Sequence, residues 1–410
     1  MLTKEEKAQI MREEEEKQLH TFFDVFKDLS DPRDNRGKRH KLIDVIIISI
    51  YGILCGYNDF TNLADWAEVY EDYFINLLDL KYGVPSHCCF SRVFWVIDPE
   101  EFMTLFMKWV NLIIKTSGKH IAIDGKAIRA ATDKLNCGNT PTILSAFLTD
   151  VGFCISQVKV DDKSNEITAI PELISLINIK GALISIDAIG TQTEIMDLIK
   201  NKGGHFCLNV KDNQELLKKD IEDYYNMALH DSEELQKFLI KKTIDNAHGR
   251  IETRHYYLLH SNCCITDPDK WKHVESIGIV HSTRLIKNKK KKVVTPNGIE
   301  LKEDSYLSEQ IKYYILDIKP TIDEFIGYTR DHWKIESHHW LLDVYYREDW
   351  SKARKGHSIH NLSVLRKIVL NLSKCDSMMP KKTTQSRITR YNSDFKYIEN
   401  FIFNEIPRLN

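Results

Sequence analysis

Net charge is nearly absent from this 410-residue chain: 57 lysines and arginines stand against 59 acids, a formal −2. No polyanion partner is announced by such a total, so any nucleic-acid surface must arise where cations are segregated locally. C-x-x-C spacing is missing altogether. The nine cysteines are odd in number and include the adjacent pairs Cys88–Cys89 and Cys263–Cys264, which argues against a disulfide framework and a zinc ribbon and for reduced thiols. Long apolar runs are missing too. The longest, "VIIISIYGILCG" at 45–56, is well short of the roughly 20 residues that cross a bilayer. The opening "MLTKEEKAQIMREEEEKQ" is charged where a signal peptide is apolar, and no internal repeat is apparent. Together these absences lead us to expect a soluble, cytoplasmic protein, and the length predicts two or three domains.

What is present has a clear order. Residues 1 to about 30 form an acidic helical pattern that stops at Asp31-Pro32, where the residue before proline disfavours helix. From 41 to about 115 the pattern stays helical, in "KLIDVIIISIYGILCG", "FTNLADWAEVYEDYFINLLDL" and "PEEFMTLFMKWVNLIIK", with "GYND" and "YGVPSHCCFSR" as separators. At 120 the period changes. "HIAIDGKAIRAA", "PTILSAFLTD" and "GFCISQVKVDD" read as strands, followed by a helix, the buried strand "GALISIDAIG", a second helix and the strand "HFCLNV". Residues 212 to about 238 read as helix, 239 to 318 as strand and turn, and 321 to 374 as helix again. The lysine run "KNKKKKVV" in the strand-rich part reads as a solvated hairpin tip, with a phosphate-contacting loop as the alternative.

Three acids stand out. Asp124 ends "HIAID" and Asp187 ends "LISID", each at the carboxyl end of a buried strand. A crossover helix returns the fourth strand parallel to the first, so the two carboxylates can face each other. Two buried like charges repel, and a divalent cation removes that penalty. Hard oxygen ligands suit magnesium or manganese, and a pair of such ions about 4 Å apart serves phosphoryl transfer. The third acid is sought in "RDHWKIESHHWLLDVYYREDW" at 330–350. Projected as one helix at about 100° per residue, His332, Glu336, His339, Asp343 and Arg347 form a polar stripe. Trp333, Trp340 and Val344 flank it on one side and Ile335, Leu342 and Tyr346 on the other, so both apolar wings are expected to dock and carry Glu336 inward. Glu348 is the reserve candidate, on the opposite face. A zinc site on His332, Glu336, His338 and His339 is disfavoured, because His338 projects away from the other two histidines.

At these residues the chain resembles a known family, the DDE transposases of bacterial insertion sequences, in their ISAs-type or H-repeat-associated (Rhs-linked) branch. Blocks in the same order carry the likeness: "DPRDNRGKRHKLIDV", "GVPSHCCFSRVFWVIDPEEF", "IAIDGKAIR", "QVKVDDKSNEITAIPELI", "GALISIDAIGTQ", "GGHFCLNVKDNQ", "HGRIETR" and "RDHWKIESHHWLLDVYYRED". The resemblance implies an α/β fold, a ribonuclease-H-like mixed sheet flanked by helices, with a β-rich insertion and a helical N-terminal domain. The corresponding domains are 1–115, a core at 116–238, the insertion at 239–320, core completion at 321–376 and a tail at 377–410. It implies Asp124, Asp187 and Glu336 as catalytic metal ligands for two Mg2+ or Mn2+ ions, strand cleavage at element ends, and attack of the freed 3′ hydroxyl on target DNA. Lys126, Arg129, Lys211, Asn213, Gln214, Arg250, Arg254, His332 and Lys334 are the implied contacts to double-stranded DNA, and a homodimer on DNA is expected. Where relatives carry Tyr, Arg and Lys around the third acid, this chain has Thr329, His332 and Asp343. The competing expectation is a DNA-binding relic that grips such ends without cutting them.

Overall fold

A computed structural model describes residues 21–36, 38–132, 139–160, 165–247, 250–288, 292–295, 298–301 and 304–404, with the side chains of 247 and 286–307 left aside. In chain order the α-helices of five or more residues are α1 (Phe22–Phe26), α2 (Leu42–Leu54), α3 (Phe60–Val69), α4 (Glu71–Leu78), α5 (His87–Val96), α6 (Pro99–Ile113), α7 (Glu166–Leu176), α8 (Thr193–Asn201), α9 (Glu215–His230), α10 (Ile322–Asp331), α11 (Lys334–Val344), α12 (Ser358–Lys374), α13 (Thr384–Ser393) and α14 (Lys396–Phe403). The strands are β1 (His120–Ala127), β2 (Thr142–Leu148), β3 (Phe153–Lys159), β4 (Leu183–Ile186), β5 (His205–Val210), β6 (Phe238–Ala247), β7 (Arg250–Leu259), β8 (Ser276–Asn288), β9 (Lys292–Thr295), β10 (Gly298–Leu301) and β11 (Asp304–Leu316). The fold is mixed α/β, with a large sheet and many helices. The chain divides into two compact units, and β1 is divided between them after Ala122.

The first unit takes Met1–Ser117, Ile123–Asn178 and Lys334–Asn410. Its helices start where the sequence offers caps. Asp98 accepts hydrogen bonds from the Glu100 and Glu101 amides with Pro99 in the first turn, and Asp59 accepts from the Asn62 amide. The run at 45–56 lies in α2 as far as Leu54, and every residue of that helix is buried. Helix α12 is the other interior helix, buried from Asn361 to Ser373. Its polar side chains are there because they satisfy backbone that packing would otherwise strand. Asn371 accepts from the Cys154 amide and donates to the Cys154 carbonyl on β3, while Asn361 donates to the carbonyls of Phe94 and Ile97, where α5 ends. Strands lie in the order β3-β2-β1, with β2 and β3 antiparallel.

The second unit takes Gly118–Ala122 and Ile179–Trp333. Its strand order is β1-β4-β5-β11-β8-β7-β6. The start of β1 is tied to β4 by the Leu183 amide donating to the Lys119 carbonyl at 2.9 Å. Strands β4 and β5 are parallel, whereas β11 is antiparallel to both β5 and β8. Buried Asp317 pins the end of β11 to the start of β5, accepting from the Phe206 amide and Lys200 at 2.6 Å each. Phe325 on α10 packs with Tyr256, Leu258, Val280, Tyr314 and Leu316.

Three expectations about elements need correction. "FTNLADWAEVYEDYFINLLDL" is two helices, α3 and α4, divided at Tyr70. The separator "YGVPSHCCFSR" contains the start of α5, whose Phe90, Val93 and Phe94 are buried at helical spacing. The stretch 330–350 is not one helix: α10 ends at Asp331, α11 spans Lys334–Val344, and Arg347 has φ +48. Residues 1–20 and the side chains of the lysine run lie outside the described residues, so the acidic lead-in and the hairpin tip are left as expectations.

Gly278 on β8 leaves the space that the Phe325 ring fills. A Cβ at 278 would stand 2.2 Å from Phe325 Cζ, and the ring is enclosed on all sides. We therefore expect Gly278→Ala to destabilise the protein by about 1–3 kcal/mol in urea unfolding, with part of the loss recovered when Phe325→Leu is added. An unchanged midpoint for Gly278→Ala would contradict this packing.

Candidate active site

In the second unit Asp187 directly follows β4 and precedes a single turn of 3-10 helix at Ala188–Gly190. Its carboxylate is spanned by one cation, with Lys211 Nζ 2.9 Å from Oδ1 and 3.0 Å from Oδ2. Burial acts to raise its pKa, but the Lys211 hydrogen bond, the Ala188 amide and the Lys211 charge outweigh it and hold the carboxyl below its ordinary range. Beside it a chain of three side chains runs across the sheet: His120 Nε2 to Ser185 Oγ at 2.7 Å, and Ser185 Oγ to His332 Nδ1 at 2.9 Å. Burial lowers the His332 pKa to about 4, so the imidazole is neutral at physiological pH. The amides of Asn213 and Gln214 donate to the carbonyls of Ala188 and Thr191, and so fix the loop that follows Asp187.

In the first unit Asp124 is partly exposed on β1, and His339 Nδ1 of α11 lies 3.6 Å from its Oδ2. Glu336 is one helical turn earlier on α11 and is exposed. Residues three apart share a face of a helix, so within this unit the Glu336 side of α11 is the side that meets Asp124. Burial lowers the His339 pKa to about 3, which makes this a contact with a neutral ring.

Only one of the two expected apolar wings of this helix is docked. Ile335, Leu342 and Tyr346 are buried, whereas Trp340 is 55% exposed and Val344 is also exposed. Trp333, at the end of the second unit, is exposed as well and carries Lys312 Nζ 4.0 Å above its ring. His332 and Arg347 fall off the projected stripe because the helix begins after the first and ends before the second. His338 is buried against Phe147, its pKa pushed well below the ordinary value by burial. Among the described residues no group of three or more His, Cys, Asp or Glu side chains could hold a metal ion, a zinc cluster on α11 included.

Lys126, expected to reach toward DNA, is turned inward. Its Nζ lies 2.6 Å from Asp343 on α11 and 3.3 Å from Glu348, and the residue is 8% exposed. Asp343, where the resemblance leads one to expect a lysine, is thus paired with a lysine from the strand of Asp124. Glu348 is the centre of this cluster. It is not on α11 but in a turn beyond it, buried, with Oε1 accepting from Ser363 at 2.8 Å. Burial pushes its pKa up, and Lys126, Lys367 and Arg366 push it further down, to about 2. Burial in turn lowers the pKa values of Arg366 and Lys367. Sequence reasoning missed this cluster, since Glu348 looks like the outer face of a continuing helix and Lys367 like a solvated position on α12.

The remaining candidates differ in what is left exposed. Arg129 keeps its guanidinium exposed while its amide donates to Asp349 Oδ1 at 2.6 Å. Arg254 is paired with Asp245 and Glu252. Arg250, Lys211 and Lys334 are exposed at their positions.

Residues 115–372 match the family described as "Transposase DDE domain", and residues 23–110 match "DDE_Tnp_1-associated". The chain is 31% identical over 351 residues to an H repeat-associated putative transposase YhhI of Escherichia coli (strain K12), covering 84% of this chain and 88% of the relative. It is 31% identical over 357 residues to a putative transposase YncI of Escherichia coli O157:H7, covering 86% and 87%. A further relative, the H repeat-associated putative transposase YbfD of Escherichia coli (strain K12), is 34% identical over 229 residues, covering 56% and 88%.

The Glu348 cluster yields a prediction with a defined pH sign. Removing the carboxylate leaves Lys126 and Lys367 buried without their anion, so Glu348→Gln is expected to cost about 3–5 kcal/mol near neutral pH. The folded pKa lies below the ordinary 4.5, so the charged carboxylate stabilises fully above about pH 4.5 and loses this contribution as pH falls toward 2. Urea midpoints of wild type and Glu348→Gln should converge over that window. A gap that stays constant with pH would contradict the assignment.

Proposed function

The chain belongs to the DDE transposase family, and from that membership we propose that Asp124, Asp187 and Glu336 act together to cut DNA strands at the ends of a mobile element and join the freed 3′ hydroxyl to target DNA. The observation that carries this reading is the contact of His339 with Asp124. It brings the Glu336 face of α11 to the strand that bears the first acid, which lies within β1 with three strand residues beyond it. The family works with divalent metal ions on DNA. We assign two Mg2+ or Mn2+ ions to these three acids, within a ribonuclease-H-like core carrying a β-rich insertion at 239–320.

The donor chemistry fits such ions. All three candidates are carboxylates, the hard oxygen ligands that magnesium and manganese prefer. Asp187 in addition holds a cation already, the Lys211 ammonium, across both of its oxygens. When bound, the ions supply activation of the attacking oxygen and stabilisation of the leaving one. The protein's own contribution is position and charge. Lys211 keeps Asp187 ionised and has to release it to a metal. Lys126, clamped by Asp343 and Glu348, acts as a positioning residue that fixes the strand of Asp124 against α11. Exposed Arg129, Lys211, Arg250 and Lys334 meet DNA phosphates, whose contacts set affinity and its salt dependence. A homodimer accommodates the two ends that must be joined.

The test is incubation of the purified chain with a labelled duplex carrying its own element end. Magnesium- or manganese-dependent nicking is expected, with Asp124→Ala, Asp187→Ala and Glu336→Ala each reducing it at least about 100-fold. Salt-sensitive binding with no cleavage under any metal would overturn the enzymatic reading in favour of a DNA-binding relic.

A further inference from the structure

Among the described residues a concentration of positive charge lies in the helical part of the first unit. A groove of roughly 580 Å3 is lined there by Arg33, Arg36, Lys38, Arg39, His40 and Arg92, together with Tyr82 and Trp95. Its acids do not balance it. Asp31 is occupied by Arg33 at 2.7 Å and Lys38 at 3.2 Å, and Asp34 accepts only from the Arg36 amide among its described contacts. The side chains of Arg36, Arg39 and Arg92 are exposed. In a chain of net charge −2 this is a local excess of cations. Burial lowers the pKa of His40, and the charges of Arg33 and Arg39 add to it.

The groove also offers aromatic surface. Tyr82 is 63% exposed and Trp95 43%, although each is large enough to be buried in an ordinary core. Trp95 extends the cationic track, because Lys355 Nζ stands 5.6 Å from its ring and the His357 amide donates to its carbonyl. The basic segment that follows Trp350, with Lys352, Arg354 and Lys355, therefore continues from the groove. Several cations along one groove match the repeated phosphates of a duplex backbone better than a compact anion, for which one or two cations suffice, and Tyr82 adds an exposed hydroxyl of the kind that bonds phosphate.

We propose that this groove is a DNA-backbone site, gripping duplex DNA through Arg36, Arg39 and Arg92 and continuing over Trp95 to Lys355. The inference rests on the reading that the chain acts on DNA, and is independent of which acids do the chemistry.

The experiment measures fluorescence anisotropy of a labelled 30-base-pair duplex with the full chain in EDTA, across a salt series. The double variant Arg36→Glu/Arg39→Glu and the single variant Arg92→Glu are compared with wild type, with Lys219→Glu as an exposed charge reversal in the other unit. We expect at least about tenfold weaker binding for the groove variants, and a log K against log salt slope shallower by about one per lost phosphate contact, with Lys219→Glu binding as wild type does. Equal affinity and slope for wild type and the groove variants would overturn the proposal, even if metal-dependent nicking is observed. Loss of binding confined to the groove variants, in a chain that never nicks, supports the groove and overturns the catalytic reading instead. A second readout needs no substitution: Cys88 is exposed in the groove, and its maleimide labelling, followed by peptide mass mapping, should slow when duplex is added. Unchanged labelling under saturating DNA contradicts the proposal.

Discussion

A single buried carboxylate, Glu348, organises the first unit. Burying it alone would be costly, and it is kept ionised by three cations drawn from two elements, Lys126 on β1 and Arg366 and Lys367 on α12. Lys126 in turn reaches Asp343 on α11. The same set of charges thus fixes the strand that bears Asp124, the helix that bears Glu336 and the interior helix beneath them. Ser363 and Gln157 complete it: the Ser363 hydroxyl donates to Glu348 Oε1, the nearer of the two acceptors beside it, and Lys367 donates to Gln157 Oε1. Such a network is strong only when complete. That explains why a polar cluster survives inside α12, where the Asn371 amide is bonded to backbone through both its oxygen and its nitrogen and the Asn361 nitrogen donates to two carbonyls.

The second unit solves a different problem, that of holding one acid at the end of a short strand. Strand β4 has four residues and gains its rigidity from its neighbours. Parallel pairing with β5 supports one side, and the Lys119 carbonyl and His120 ring engage the other. The neutral His332, hydrogen-bonded to Ser185, stands where the resemblance leads one to expect an arginine. The cation of this neighbourhood is Lys211, which spans Asp187.

Much of this was legible beforehand, for reasons that can be named. Strands β1 to β5 and the helices among them announced themselves by a change of period and by glycines at their ends; Asp187 does follow the end of β4, whereas Asp124, expected to end its strand, lies inside β1, which runs on through Gly125 to Ala127. Position within the tail of the chain was read less well. The projection of 330–350 assumed an unbroken helix. No proline or glycine marks the turn at His332–Trp333, and Arg347 takes a left-handed conformation that its residue type does not advertise. Consequently Arg347 and Glu348 were assigned faces of a helix that ends at Val344, and one tryptophan wing was expected inside although Trp340 is exposed. Lys126 was expected at DNA because the resemblance puts it just past the first acid; its burial depends on Glu348, more than 200 residues away. The cations of "RDNRGKRHK" were visible in the sequence, but their groove also needs Arg92 and Trp95 from α5, a helix the sequence reading took for a separator.

The account turns on whether residues 124, 187 and 336 hold the same pair of cations. The most direct measurement is anomalous scattering from a manganese-soaked crystal of the full chain. Peaks bounded by all three carboxylates, with Lys211 displaced from Asp187, are the required result. Manganese bound by other acids, or by Asp124 and Asp187 with Glu336 turned away, would contradict it.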